Sequence, residues 1–254
     1  MEEKKFAFES EKVSVAFPLI NSLGDNVIAK KFFDAIIELA PDCLIDIFCL
    51  TENHARIAVA FFGQSKNLNL ILKYYNLYQE SLNHYDLALR LCGSCFFALD
   101  GVNAQNLQRK SPALFESVIK INEYNKRNVS GIGSGNAISL RNTSASKILG
   151  RNCYWFLSCD GAFPIRDDKV NIPLHPAFKP VFDKLNLDKY ITVYTDIAEH
   201  ERERPKNKTW PMKYFVEYVS LMKKRFPAVE IIQCGGGISK LRMQTAIISA
   251  WTWS

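Results

Sequence analysis

The residue best placed to do chemistry is Asp25, in the stretch Pro18-Leu19-Ile20-Asn21-Ser22-Leu23-Gly24-Asp25-Asn26. An apolar run, Val13 to Phe17, precedes this turn. Apolar residues at helical spacing follow it, with Ile28, Phe32, Ile36 and Leu39 in one row and Ala29, Phe33, Ile37 and Ala40 beside it. A carboxylate there has two compatible roles. It can cap the helix by accepting a hydrogen bond from a free first-turn N–H. The helix dipole also keeps it ionised at neutral pH, as a general base must be.

The elements that must position Asp25 read as the first half of a βαβ unit. Val13–Phe17 is a buried strand, the helix starts near Val27 and stops at Pro41, and Leu44 to Leu50 is the second strand. In open α/β sheets ligands bind outside the carboxyl ends of the strands. The turn Ser22–Asp25 stands at such an end. Further along, His54–Gln64 reads as a helix, Leu68–Leu72 as a strand, Tyr74–Asn83 as a short helix and Tyr85–Cys92 as a strand. Asn103–Asn125 reads as helical, with Pro112 near a helix start. The alternation predicts a parallel sheet with helices on both faces. Asn128 to Asp168, rich in Gly, Ser and Asn, reads as irregular, and the Pro-containing stretch from Val170 as a connection. Tyr190–Tyr194 is a strand, Pro211 opens a helix, and Val229–Cys234 is another strand before Gly235-Gly236-Gly237. The expected organisation is a first lobe over 1–169, a connection over 170–189 and a second lobe over 190–254.

Composition narrows the function classes. The 254 residues are 48% apolar and 23% charged, an ordinary globular balance. Met1-Glu2-Glu3-Lys4-Lys5 lacks the apolar core of a signal peptide. Seven cysteines without regular spacing suit reduced thiols in a cytoplasm. Residues 1–169 carry 19 Lys and Arg against 18 Asp and Glu; residues 170–254 carry 13 against 8. That positive second part suits an anionic ligand such as a nucleotide diphosphate. It is too small an excess for nucleic acid.

Other candidate signals read as structure. Cys92-Gly93-Ser94-Cys95 lacks the second pair a zinc site needs, and Cys153 and Cys159 pair poorly. Gly131-Ile132-Gly133-Ser134-Gly135 follows a charged helix rather than a strand, so it reads as a flexible turn. Tyr74, Tyr75, Tyr78 and Tyr154-Trp155-Phe156 read as core aromatics. His54 and His84 lack a carboxylate partner pattern, His175 before Pro176 reads as linker, and His200 sits in the donor-side loop, where it could be functional, while Arg202, Arg204 and Lys206 of that loop read as solvated.

Two motifs taken together resemble glycosyltransferase family 9, the lipopolysaccharide heptosyltransferases and relatives. One is Ser22-Leu23-Gly24-Asp25 opening a helix after the first strand. The other is Lys208-Thr209-Trp210-Pro211 opening a helix about two-thirds along, followed by Phe215, Leu221, Phe226-Pro227, a strand and Gly235-Gly236. The resemblance covers Val13–Leu50 and Tyr190–Gly236. It implies two Rossmann-like lobes of the GT-B type, the second incomplete here. It also implies inverting, metal-independent transfer of a heptose or other sugar, with no cofactor. The implied donor is a nucleotide diphosphate sugar, ADP-heptose-like. The implied acceptor is a lipopolysaccharide-core or related glycan or glycolipid, met in the cytoplasm at the inner membrane surface. Asp25 matches the base, with Ser22 and Gly24 in the acceptor-side turn. Lys208 matches the lysine on the donor diphosphate, and Thr195 and Thr209 lie where hydroxyl and backbone groups approach the phosphates. The family's second lobe runs about a hundred residues beyond the Gly-rich strand, whereas this sequence stops at Ser254. The expectation is therefore a shortened donor lobe with weak donor binding and poor transfer or none. The alternative expectation is a non-catalytic remnant or glycan-binding module.

Overall fold

The computed structural model describes residues 5–20, 23–92, 96–132, 135–150, 157–165, 189–194 and 212–234, with Pro180 and Asp183. The chain divides into two compact units, Met1–His175 and Pro176–Ser254.

In the first unit β1 (Ser14–Leu19), β2 (Leu44–Cys49), β3 (Leu68–Leu72), β4 (Leu87–Cys92) and β5 (Phe96–Val102) form one sheet, in the order β3-β2-β1-β4-β5. The first four strands are parallel. β1 and β2 are buried along nearly their whole length, as expected for central parallel strands. Side-chain alternation then sorts the two cores. Val15, Phe17, Leu19, Ile45, Ile47 and Leu89 face the larger one. There they meet Phe32, Phe33 and Ile36 of α1 (Leu23–Leu39), Phe62 of α2 (Glu52–Phe62), and Leu114, Val118 and Ile121 of α5 (Pro112–Asn128). Ala16, Phe48 and Ala88 face the other side, under Tyr78 of α3 (Tyr75–Ser81), Tyr85 and Ala7. Pro112 opens α5 as the sequence predicts, after Ser111 has capped it by accepting from the Leu114 N–H.

Four sequence expectations are corrected. β1 does not stop at Phe17 but runs through Pro18 and Leu19. Proline's missing donor is tolerated because β1 pairs with β4 only at Val15 and Ala16, so that ladder has ended before Pro18. α1 starts at Leu23, four residues before Val27. The sheet is not wholly parallel: β5 returns antiparallel on β4, with Cys92 opposite Phe96. Lastly, the region from Asn128 is not irregular throughout. The short α4 (Ala104–Lys110) and the 17-residue α5 follow β5, and beyond them Gly135–Leu149 forms α6, which buries Ile138 and Asn142.

The second unit holds two parallel strands, β6 (Tyr190–Tyr194) and β7 (Glu230–Cys234), in register from Tyr190 opposite Glu230 to Tyr194 opposite Cys234. Between them runs α7 (Met212–Arg225), ending on Lys223, Lys224 and Arg225, which complement its dipole. Lys223 also donates to the Val229 carbonyl at 3.2 Å and lies 3.6 Å from Glu230, tying the helix end to the start of β7.

Candidate functional site

Because β1 to β4 are parallel, Leu19, Cys49, Leu72 and Cys92 all end at one edge of the sheet. From β1 the chain steps outward to β2 and β3, then returns to the other side of β1 as β4. The order reverses between β1 and β4, and such a reversal is where a crevice opens at the carboxyl edge. The segment leading out of β1 into α1 borders that point. Asp25 is the third residue of α1 and half-buried, so it lies inside the first turn and not at the cap position. Its neighbour Asn26 is fully buried, which anchors the turn.

The adjoining end of β2 carries a second polar group. The Leu50 N–H donates to the Leu19 carbonyl at 3.3 Å, closing the two strand ends together. Thr51 then caps α2: its hydroxyl oxygen accepts from the His54 N–H at 3.4 Å and lies 2.7 Å from His54 Nδ1. Glu52, in the first turn, meets Lys73 at 2.6 Å beyond the end of β3, with Arg56 at 3.9 Å. The Lys73 ammonium holds the Glu52 carboxyl below its ordinary pKa. Two helix N-termini, of α1 and α2, thus open on one edge, where their dipoles favour an anion. Glu52 and Lys73 escaped the reading of the sequence. The signal for the cap was Thr51-Glu52 directly after an apolar strand.

Two other carboxylates are buried, and the structure gives them a different task. Asp46 accepts from the Ala7 N–H (2.8 Å), the Tyr85 hydroxyl (2.8 Å), the Asn69 amide (2.8 Å) and the Leu70 N–H (3.1 Å). Burial pushes its pKa up, against the pull of those donors. Asp86 accepts from the Ser14 N–H (2.9 Å) and hydroxyl (3.2 Å) and pairs with Lys110 (2.9 Å). Both lie in or before the amino halves of their strands, away from the ligand edge, and structural donors engage both oxygens of Asp46 and Oδ2 of Asp86. Asp100 is likewise committed, accepting from Arg90 (2.9 and 3.1 Å) and from the Tyr78 hydroxyl (2.7 Å). Among the described carboxylates, position on the carboxyl edge singles out Asp25 and Glu52, and Glu52 is held by Lys73.

The other predicted site residues divide as follows. Gly24 is the second residue of α1, beside Asp25. Ser22, Thr195, Lys208 and Thr209 lie outside the described residues. β6 ends at Tyr194, immediately before Thr195, and α7 begins at Met212, immediately after Pro211. Cys92 is half-buried with its thiol pKa raised by burial, and Gly93–Cys95 are not described. Cys43, Cys49 and Cys159 are buried and unpaired with one another, as structural thiols should be. Tyr78 is fully buried while Tyr74 is exposed; Tyr154–Phe156, His175 and His200 are not described. Exposed His84 packs against Phe8 at 5.2 Å. Among the described residues no group of His, Cys, Asp and Glu is arranged to hold a metal ion, and no helix is long and apolar enough to cross a membrane.

No protein-family model matches the chain, and no curated protein matches it in sequence. Solved structures similar to it include E. coli heptosyltransferase WaaC with ADP, at 14% identity and a TM-score of 0.43, covering 88% of this chain and 67% of that one. The same enzyme with ADP-2-deoxy-2-fluoro heptose gives 11%, 0.43, 89% and 70%. A glycosyl transferase of family 9 from Veillonella parvula gives 12%, 0.47, 93% and 66%. The chain spans about two thirds of the length of these structures.

Proposed function

We propose that this chain belongs to a glycosyltransferase of the family 9 type, built as GT-B lobes, that moves a sugar from a nucleotide diphosphate donor to a glycan hydroxyl. The observation that carries the reading is Asp25 in the first turn of α1, at the carboxyl edge beside the sheet's reversal point. The motif Lys208-x-Trp-Pro directly before α7 supports it. In the reaction the acceptor hydroxyl gives its proton to Asp25 as its oxygen bonds the anomeric carbon. The bond from that carbon to the diphosphate breaks with inversion, and the departing oxygen takes the electron pair. Charge therefore grows on the diphosphate, where Lys208, with Thr195, Thr209 and the first N–H groups of α7, stabilises it. No metal enters this scheme.

The finer reading is heptosyl transfer from an ADP-heptose-like donor to a lipopolysaccharide-core or related acceptor, in the cytoplasm at the inner face of the membrane. Calorimetry and thermal shift with a panel of nucleotide diphosphate sugars test it. One donor should raise the melting temperature, and Lys208→Ala should weaken that donor about tenfold or more while leaving the melting temperature of the free chain unchanged. If no nucleotide diphosphate sugar binds, or Lys208→Ala binds it equally, the donor assignment fails.

A further inference from the structure

We propose that the outward face of α6, with the basic end of α5, docks on an anionic lipid surface. This gives the membrane contact of the transfer reading a defined place, and it is measurable without any transfer. α6 turns Ile138 and Asn142 inward. At 100° per residue, Leu140, Ser144, Lys147 and Ile148 then fall together on the opposite side. Leu140 is 71% exposed and Ile148 is 83% exposed. Large aliphatic side chains left this open on one helix face call for a cover.

Charge identifies the cover. From Tyr124 to Cys159 the sequence contains no Asp or Glu, yet it holds Lys126, Arg127, Arg141, Lys147 and Arg151. Lys126 and Arg127 are exposed in the last turn of α5. The Arg141 guanidinium donates to the Asn128 carbonyl, which fastens α6 to that turn. Glu123 and Asp160 bound this stretch, which still keeps an excess of cations, and aliphatic side chains beside a net positive charge match a bilayer surface. The aliphatic groups enter the boundary between headgroup and acyl chain, and the cations meet lipid phosphates. At 15 residues the helix lies on the surface and does not span it.

The test is co-sedimentation of the full chain with vesicles of phosphatidylcholine plus phosphatidylglycerol, against phosphatidylcholine alone. The chain should pellet with the anionic vesicles and stay in solution with the neutral ones. Leu140→Ser combined with Ile148→Ser should lower partitioning about tenfold, and Lys147→Glu by a similar factor, with unchanged circular dichroism because all three side chains are exposed. Failure to bind anionic vesicles, equal binding to both kinds, or undiminished binding by the double variant would overturn the proposal. So would a wild-type dimer that the double variant makes monomeric without any vesicle binding, which would assign the face to a second copy. None of these outcomes touches the role of Asp25.

Discussion

Replacing Asp25 by Asn separates a catalytic carboxylate from a merely helix-stabilising one. The two roles predict losses of different size. As a first-turn charge, Asp25 interacts with the α1 dipole, worth about 0.3–1 kcal/mol at a partly exposed site. The helix does not depend on it: Ala29, Phe32, Phe33 and Ile36 are all essentially buried, and each large one contributes about 1.5–3 kcal/mol. The melting temperature should therefore fall by no more than about 2–4 °C. As a general base, Asp25 supplies about 10²–10⁴ in rate, or roughly 3–5 kcal/mol at 1.36 kcal/mol per tenfold. Asn keeps the size and the hydrogen-bonding oxygen but has no useful basicity. The assay is release of nucleoside diphosphate at saturating donor and acceptor, run beside thermal melts of both proteins. In a transferase-competent form, turnover should collapse by two or more orders of magnitude, with donor affinity and folding nearly intact. Turnover within a few-fold of wild type, in a variant that melts normally, would remove Asp25 from the mechanism. A melting temperature that collapsed together with turnover would make it a structural residue.

Asp46→Ala should cost roughly 2–5 kcal/mol in urea unfolding, because it strands the buried Ala7 N–H and Tyr85 hydroxyl and the part-buried donors of Asn69 and Leu70, and should speed hydrogen exchange at Ala7 and Leu70; a loss under about 1 kcal/mol would contradict this bonding. Burial pushes the thiols of Cys43, Cys49 and Cys159 up to about 12, so iodoacetamide at neutral pH should label these three only after unfolding, as peptide mass spectrometry would read. The same groups predict alkaline lability. Their folded pKa values lie above the ordinary 9.0, so the stability they contribute is full below pH 9 and is lost as pH rises towards 12. Burial shifts the Tyr78 and Tyr85 phenols upward as well. A melting temperature that stayed flat over that range would contradict this burial.

The sequence by itself determined the elements whose information is local. Apolar runs bounded by turn residues marked β2, β3, β6 and β7 to within a residue. Pro112 and Pro211 marked the starts of α5 and α7, because proline's fixed φ and missing N–H suit a first helical turn wherever the rest of the chain goes. The stretch holding Asp25 was legible for the same reason: a strand, a glycine turn and a helix are adjacent in sequence.

Only the tertiary structure decided what depends on distant partners. The antiparallel return of β5 is set by pairing with β4, where Arg90 meets Asp100 across the ladder. Nothing in Phe96–Val102 alone states a direction. α6 is poor in helix-forming residues and is fixed by burying Ile138 and Asn142 and by Arg141 reaching α5. The placing of β4 beside β1 created the reversal point that gives Asp25 its edge. The sorting of carboxylates came last. Asp46, Asp86 and Asp25 all follow or interrupt apolar runs and look alike in sequence. Asp46 is structural because Ala7 and Tyr85, each 39 residues away, bring their donors to it. Folding alone delivers those donors, since a buried carboxylate must find such partners or give up its charge.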